Sequence, residues 1–153
     1  MSIYLVQHGV SLPKDIDPEK GLSEEGVAEV QRIAEVAQGY GVRVARVCHS
    51  GKKRARQTAE LFAARLQPAE GLAQIDGLNP LDDVTVLATG LESDSDTMYV
   101  GHLPFMERLA AFLLTGSYEK PIFKFQNGGI VCLYEDATLG SWVIKWALMP
   151  KIK

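Results

Sequence analysis

The run Ile3-Tyr4-Leu5-Val6 is apolar without a break. A strand of that kind is stable only where both faces are covered, as in a parallel sheet packed between helices. Residues 2–7 therefore predict a buried first strand. It closes on Gln7-His8-Gly9, where a histidine leaves the strand on a glycine hinge. Downstream, apolar runs of strand length alternate with segments of helical period. Leu22-Ser23 opens a helix with Val27, Val30, Ile33, Ala34 and Ala37 on one stripe, ended by Gly39 or Gly41. Residues 42–48 predict a second strand. The stretch Lys52 to Leu66 predicts a helix facing inward through Ala55, Ala59, Phe62, Ala63 and Leu66, with Pro68 closing it.

Asp82 or Asp83 is placed to cap a short helix ending near Gly90, before a strand over Thr97-Met98-Tyr99-Val100. Gly101-His102-Leu103-Pro104 follows, with proline at the first helical position and Leu103, Met106, Ala110 and Leu113 as the stripe. Ile130 to Tyr134 and Trp142 to Leu148 read as paired strands, and alternation in the second predicts cover mainly on one side. This βαβα order predicts an α/β fold: a doubly wound, mostly parallel sheet flanked by helices, with an antiparallel C-terminal strand pair. The length suits a single domain over residues 1–153.

Composition narrows the function classes. A formal charge of -3 argues against a general nucleic-acid binder, and no stretch is long and apolar enough to span a membrane. Met1-Ser2-Ile3-Tyr4 lacks the basic region and apolar stretch of a secretory signal, so a cytoplasmic protein is expected. Cys48 and Cys132 sit in apolar runs and read as reduced core thiols rather than a disulfide or a zinc motif.

In doubly wound sheets, ligands bind beyond the carboxyl ends of the strands. Gln7-His8-Gly9, His49-Ser50-Gly51 and Gly101-His102 all fall at such ends, so His8 and His102 are expected to share one cleft. Between Arg43 and Gln57 stand Arg43, Arg46, Lys52, Lys53, Arg54 and Arg56 with no acidic residue. Cations in the first turns of a helix oppose its dipole, and a bound anion resolves the conflict. The alternative for each lysine is a solvated basic face.

Together, Gln7-His8-Gly9, Leu22-Ser23-Glu24-Glu25-Gly26, Ser50-Gly51-Lys52-Lys53-Arg54-Ala55-Arg56-Gln57-Thr58 and Val100-Gly101-His102 resemble the histidine phosphatase superfamily, in particular its small SixA-type phosphohistidine phosphatase branch. The resemblance implies a phosphoglycerate-mutase-like fold, His8 as phosphoryl acceptor, and Arg54 and His102 as phosphate ligands. Gln7, Gly9, Ser50, Lys52 and Lys53 are then expected around the bound phosphate. No cofactor or metal is implied.

Phosphoryl transfer needs positioning and positive charge around three equatorial oxygens. A neutral imidazole supplies the attacking nitrogen, and a guanidinium fork suits two phosphate oxygens. The family's first motif is Arg-His-Gly, and Gln7 removes its fixed charge. Loss of a preorganised donor of this kind costs about 3 to 4 kcal/mol of transition-state stabilisation. Lys52 or Lys53 is a candidate to compensate. Gly51 stands where the family has proline, a change that reads as conformational.

No general acid stands out; Asp76, Asp82 and Asp83 are the nearest candidates, each with a capping or solvating role as the alternative. His49 reads as an exposed rim or packing residue. The expected activity is dephosphorylation of phosphohistidine in a protein partner, such as a phosphotransfer domain. Alternatives are a phosphate- or phosphoprotein-binding module weakened by Gln7, and a phosphatase of small phosphate esters. Inorganic phosphate is a ligand in each.

Overall fold

A computed structural model describes residues 2–152; Met1 and Lys153 lie outside them. The elements in chain order are β1 (Ile3–Gln7), α1 (Glu24–Gly39), β2 (Arg46–His49), α2 (Lys53–Leu66), β3 (Leu72–Gln74), α3 (Val84–Thr89), β4 (Thr97–Gly101), α4 (Phe105–Thr115), β5 (Ile130–Asp136) and β6 (Ser141–Leu148). They build one six-stranded sheet in the order β3-β2-β4-β1-β5-β6. The first four of these run parallel, while β5 is antiparallel to β1 and β6 to β5. This is the expected mixed sheet with an antiparallel C-terminal pair.

Both central strands, β1 and β4, are buried at every position. One core lies between the sheet and α1 with α2, around Val6, Val30, Ile33, Phe62 and Val100. The other lies under α3 and α4, around Leu5, Leu78, Phe105, Met106 and Leu109. Helix α1 is capped as its sequence predicts, with the Ser23 hydroxyl accepting from the Gly26 N–H. Its buried stripe contains Gly26 rather than Val27. The helix start rests on the chain just after His8: the Val10 carbonyl accepts from the Ser23 N–H at 2.9 Å, and a Cβ on Gly26 would strike that same oxygen.

Several boundaries differ from expectation. The second strand begins at Arg46, because Val42 bonds back to the Ala37 carbonyl and the Ala45 N–H goes to Asp96 outside any ladder. Helix α2 does end at Leu66, but through Gln67 in a left-handed conformation whose N–H bonds the Ala63 carbonyl. Pro104 is the N-cap of α4, one position before the helix. Strand β3 was not expected; three residues with Leu72 and Gln74 exposed carry no period to read.

The cover of β6 also differs. Its register on β5 shifts between Cys132, which faces Trp146, and Leu133, which faces Ile144, leaving Lys145 as an extra residue. Such a bulge turns the stripe over. Trp146 and Leu148 pack on the α1 and α2 side, whereas Trp142 and Ile144 pack on the α4 side.

Gly26→Ala tests how tightly α1 sits on the loop after His8. Backbone cannot yield as a side chain does, so the substitution is expected to cost about 3 kcal/mol, read as a lower urea midpoint.

Candidate active site

Hydrogen bonds from four directions fix the backbone at the end of β1. The His8 N–H donates to the Gly101 carbonyl at 3.0 Å, which joins the ends of β1 and β4. The Asn127 amide donates to the His8 carbonyl at 2.9 Å, and the Gly128 N–H donates to the Gln7 carbonyl at 2.8 Å. The Gly9 N–H donates to the Thr58 hydroxyl at 2.9 Å, and that hydroxyl donates to the Arg54 carbonyl at 2.7 Å. The histidine hinge and the first turn of α2 thus share one side chain.

The His8 ring is oriented by its own neighbour. Nδ1 lies 2.7 Å from the Gly9 carbonyl oxygen. A carbonyl only accepts, so Nδ1 carries the proton and Nε2 presents its lone pair. Burial holds the His8 pKa down from 6.5 to about 4; the Gly9 carbonyl opposes it as the next largest effect, and the positive charges of Arg54 and Lys20 add smaller downward contributions. His8 is a neutral imidazole at physiological pH.

His102 is the neighbour that the strand ends predict. The two ring centroids are 5.1 Å apart, tilted by 52°. His102 is 1% exposed, and its Nε2 lies 2.6 Å from the Ser50 hydroxyl oxygen. That oxygen also accepts from the Lys52 N–H at 3.3 Å, so its own proton is best placed on His102 Nε2. Nδ1 of His102 is then the protonated nitrogen, and it is buried without a hydrogen-bond partner. Desolvation first, then His8, Arg54 and Lys52, lower the His102 pKa to about 3.

Arg54 is half-buried in the first turn of α2, and among the described residues no carboxylate pairs with it. Lys52 is the exposed N-cap of that helix, whose first turn holds no acid and no side-chain cap. The start of α2 therefore offers main-chain donors and positive charge to one anion. Lys53 is spent differently: its ammonium pairs with Asp17 at 2.9 Å, with Glu19 at 3.9 Å. Gln7 is 9% exposed, and its Oε1 is buried without a partner. The Gly9 N–H and carbonyl are both engaged inside the protein, on Thr58 and His8.

His49 stands apart from the other two histidines. It is 5% exposed, not at an open rim, and its Nδ1 accepts from the Gly51 N–H at 3.1 Å. Among the described residues no three His, Cys, Asp or Glu side chains gather to hold a metal. Asp83 caps α3 through Thr85, Asp82 accepts from the Asn79 N–H, and Asp76 is exposed. Thr58, Asn127 and Lys20 were missed as contributors. Thr58 lies inside the basic motif and was readable as a buried hydroxyl on an apolar stripe; Asn127 and Lys20 lie in loops without a pattern.

The model of the histidine phosphatase superfamily (branch 1) matches residues 3–82, just over half of the chain. The chain belongs to this superfamily. Membership supports a phosphatase. A search of the curated proteins found no match. Among solved structures, the protein histidine phosphatase SixA complexed with tungstate is similar at 26% identity, with a TM-score of 0.80 over 98% of this chain and 97% of that one. A candidate phosphohistidine phosphatase SixA from Agrobacterium tumefaciens aligns at 23% identity and TM-score 0.78, over 98% of both chains. A phosphoserine phosphatase from Entamoeba histolytica shares the fold at 14% identity and TM-score 0.70, again over 98% of both.

His8 and His102 tie stability to pH. Each has a folded-state pKa below the ordinary 6.5, so the unfolded chain binds protons first as pH falls. Their contribution is complete above about pH 6.5 and is lost as pH drops through the window down to about 4 for His8 and about 3 for His102. Urea midpoints should fall over that window, and His102→Asn should flatten the slope by about one proton. An unchanged slope would place the proton uptake elsewhere.

Proposed function

We propose that the chain is a phosphohistidine phosphatase in which His8 takes the phosphoryl group. The observation that carries this reading is the locked tautomer of His8: Nδ1–H is committed to the Gly9 carbonyl, which leaves Nε2 as the free base beside buried His102 and Arg54. Nε2 attacks phosphorus in line, and the bond from phosphorus to the leaving nitrogen breaks as the new P–N bond to His8 forms, the substrate ring carrying a proton on its other nitrogen so that it departs as neutral imidazole. Water then cleaves phospho-His8, releasing inorganic phosphate and returning the imidazole. Arg54 holds two phosphate oxygens with its fork, and the His102 Nδ1–H donates to a third. Ser50 keeps the His102 proton on that side.

Protein-borne phosphohistidine is favoured as substrate by two features. A phosphorylated imidazole leaves more readily than an alkoxide, and the candidate acids Asp76, Asp82 and Asp83 are exposed or already accept backbone N–H groups. His8 is only half-buried. A side chain presented by another protein can reach such a site. The two free buried thiols, Cys48 and Cys132, suit a reducing, cytoplasmic compartment.

A second reading follows from Gln7. With the charge at position 7 removed, the pocket could keep phosphate affinity and lose turnover, which makes the chain a phosphoprotein-binding module. Incubation with a phosphohistidine-bearing protein separates the two. An acid-labile phosphoenzyme that disappears in His8→Ala is expected; phosphate binding with neither phosphoenzyme nor turnover would establish the binding module instead. Gln7→Arg is expected to raise turnover by about a hundredfold, the usual worth of one preorganised donor.

A further inference from the structure

Lys20 lies on the loop that runs from the His8 hinge to α1, and this loop is held at several points. Ser11 bridges Leu22 in antiparallel fashion, and the Leu12 N–H donates to the Gly21 carbonyl at 2.8 Å. The chain therefore returns past the residues that directly follow His8-Gly9. The Asp17 side chain accepts from the N–H groups of Glu19 and Gly21 at 3.1 and 2.9 Å, while its carbonyl accepts from the Lys20 N–H at 2.8 Å. On the far side, the Gln57 side-chain amide oxygen accepts from the Leu22 N–H at 2.7 Å, and Lys53 pairs with Asp17. Gly21 is packed so closely that a Cβ there would lie 2.8 Å from Lys53 Cε and 3.1 Å from Gln57 Oε1. Both clamps end on the first turns of α2, next to Arg54.

At the centre of this clamp, Lys20 has φ +54, the left-handed region that a residue with a Cβ adopts at a cost. Strain of this kind persists only where the surroundings impose it, and it gathers at functional positions. The side chain is half-buried, yet among the described residues no carboxylate lies within ion-pair distance of it, although Asp17 and Glu19 are its close neighbours in the chain. Those acids turn to Lys53. Independently, Lys20 and Arg54 are the two cations whose fields act on His8.

We propose that Lys20, presented between the His8 hinge and α2 by this clamped loop, supplies to the bound phosphoryl group the positive charge that Gln7 does not. The assignment rests on the phosphate-pocket reading of His8, Arg54 and His102. Lys53, whose place in the sequence suggested it for this task, acts one step back by holding the loop through Asp17.

The test is calorimetric titration of the purified protein with inorganic phosphate at low salt. Lys20→Asn tolerates the left-handed backbone and is expected to keep or raise the melting temperature while weakening phosphate about tenfold, the worth of one charge-assisted hydrogen bond. Lys20→Arg should stay within about threefold of the parent, since charge is kept. Adding Gln7→Arg to Lys20→Asn should restore most of the lost affinity, and by more than Gln7→Arg adds to the parent protein, a coupling that a purely structural lysine would not produce. Unchanged affinity in Lys20→Asn, with affinity lost in Arg54→Met, would overturn the role of Lys20 and leave the pocket standing. Failure of Gln7→Arg to rescue would overturn it as well. A parent protein that binds no phosphate would remove the pocket reading and this one together.

Discussion

The hydroxyl of Thr58 is the interaction on which the site depends. It accepts from the N–H of Gly9, 49 residues away in the chain, and donates to the Arg54 carbonyl one helical turn back. Thr58 is wholly buried, so neither bond is shared with water. Buried polar groups left without partners cost about 1 to 3 kcal/mol each, which holds the two ends together. The consequence is geometric: the turn that aims the His8 ring and the helical turn that carries Arg54 cannot move independently. A serine could make the same bonds, but it would lose a methyl group at a position of α2 that is buried along with Ala55, Ala59 and Phe62.

Around this link the electrostatics form one system. Desolvation is the largest cause of the low pKa at both His8 and His102, and the surrounding cations add to it in the same direction. Two neutral imidazoles among positive charges form a poor site for a further cation and a good one for a dianion. The same arrangement serves each chemical need. In the proposed reaction the nucleophilic nitrogen must be unprotonated, and a phosphate oxygen would supply the acceptor that the orphan Nδ1–H of His102 lacks. Proton donors in a water-poor pocket are worth more than in solution, which is why a neutral donor suffices where Arg54 already provides charge.

Much of this was legible in the sequence where one physical rule acted alone. The apolar run of β1, the Ser23 cap, the stripes of α1 and α2, and the strand-end histidines each follow from burial or capping, and the structure places them accordingly. Readings failed where two rules competed. Val27 fits the period of α1, yet Gly26 takes the buried place because the helix start must touch the Val10 backbone. Strict alternation predicts one face for β6, but a single extra residue at Lys145 sends its two tryptophans to opposite sides of the sheet. Lys53 and Lys20 are both lysines beside glycine or basic neighbours in the sequence. Only the fold shows that one is bound by Asp17 and the other is not. Charge partners between distant loops leave no periodic trace, so this part of the site was out of reach.

The Ser50-Gly51 turn shows how the chain departs from the family pattern without losing the site. Gly51 has φ +93, which proline, fixed near -65°, cannot adopt. The glycine N–H also has a task that proline lacks the hydrogen to perform, since it donates to Nδ1 of His49. His49 is buried, so loss of that donor would leave an imidazole nitrogen unpaired in a low-dielectric interior. His49 and Gly51 therefore behave as a matched pair, and the third strand-end histidine is accounted for by packing in the turn. Gln74, at the end of the short strand β3, closes over the same glycine, where a Cβ would lie 2.5 Å from its amide nitrogen. The turn is thus rebuilt around Gly51 while Ser50 keeps its 2.6 Å contact with His102. On the side that faces His8 the Ser50 hydroxyl meets His102 and the Lys52 N–H, so of the two departures from the family motif only Gln7 alters charge.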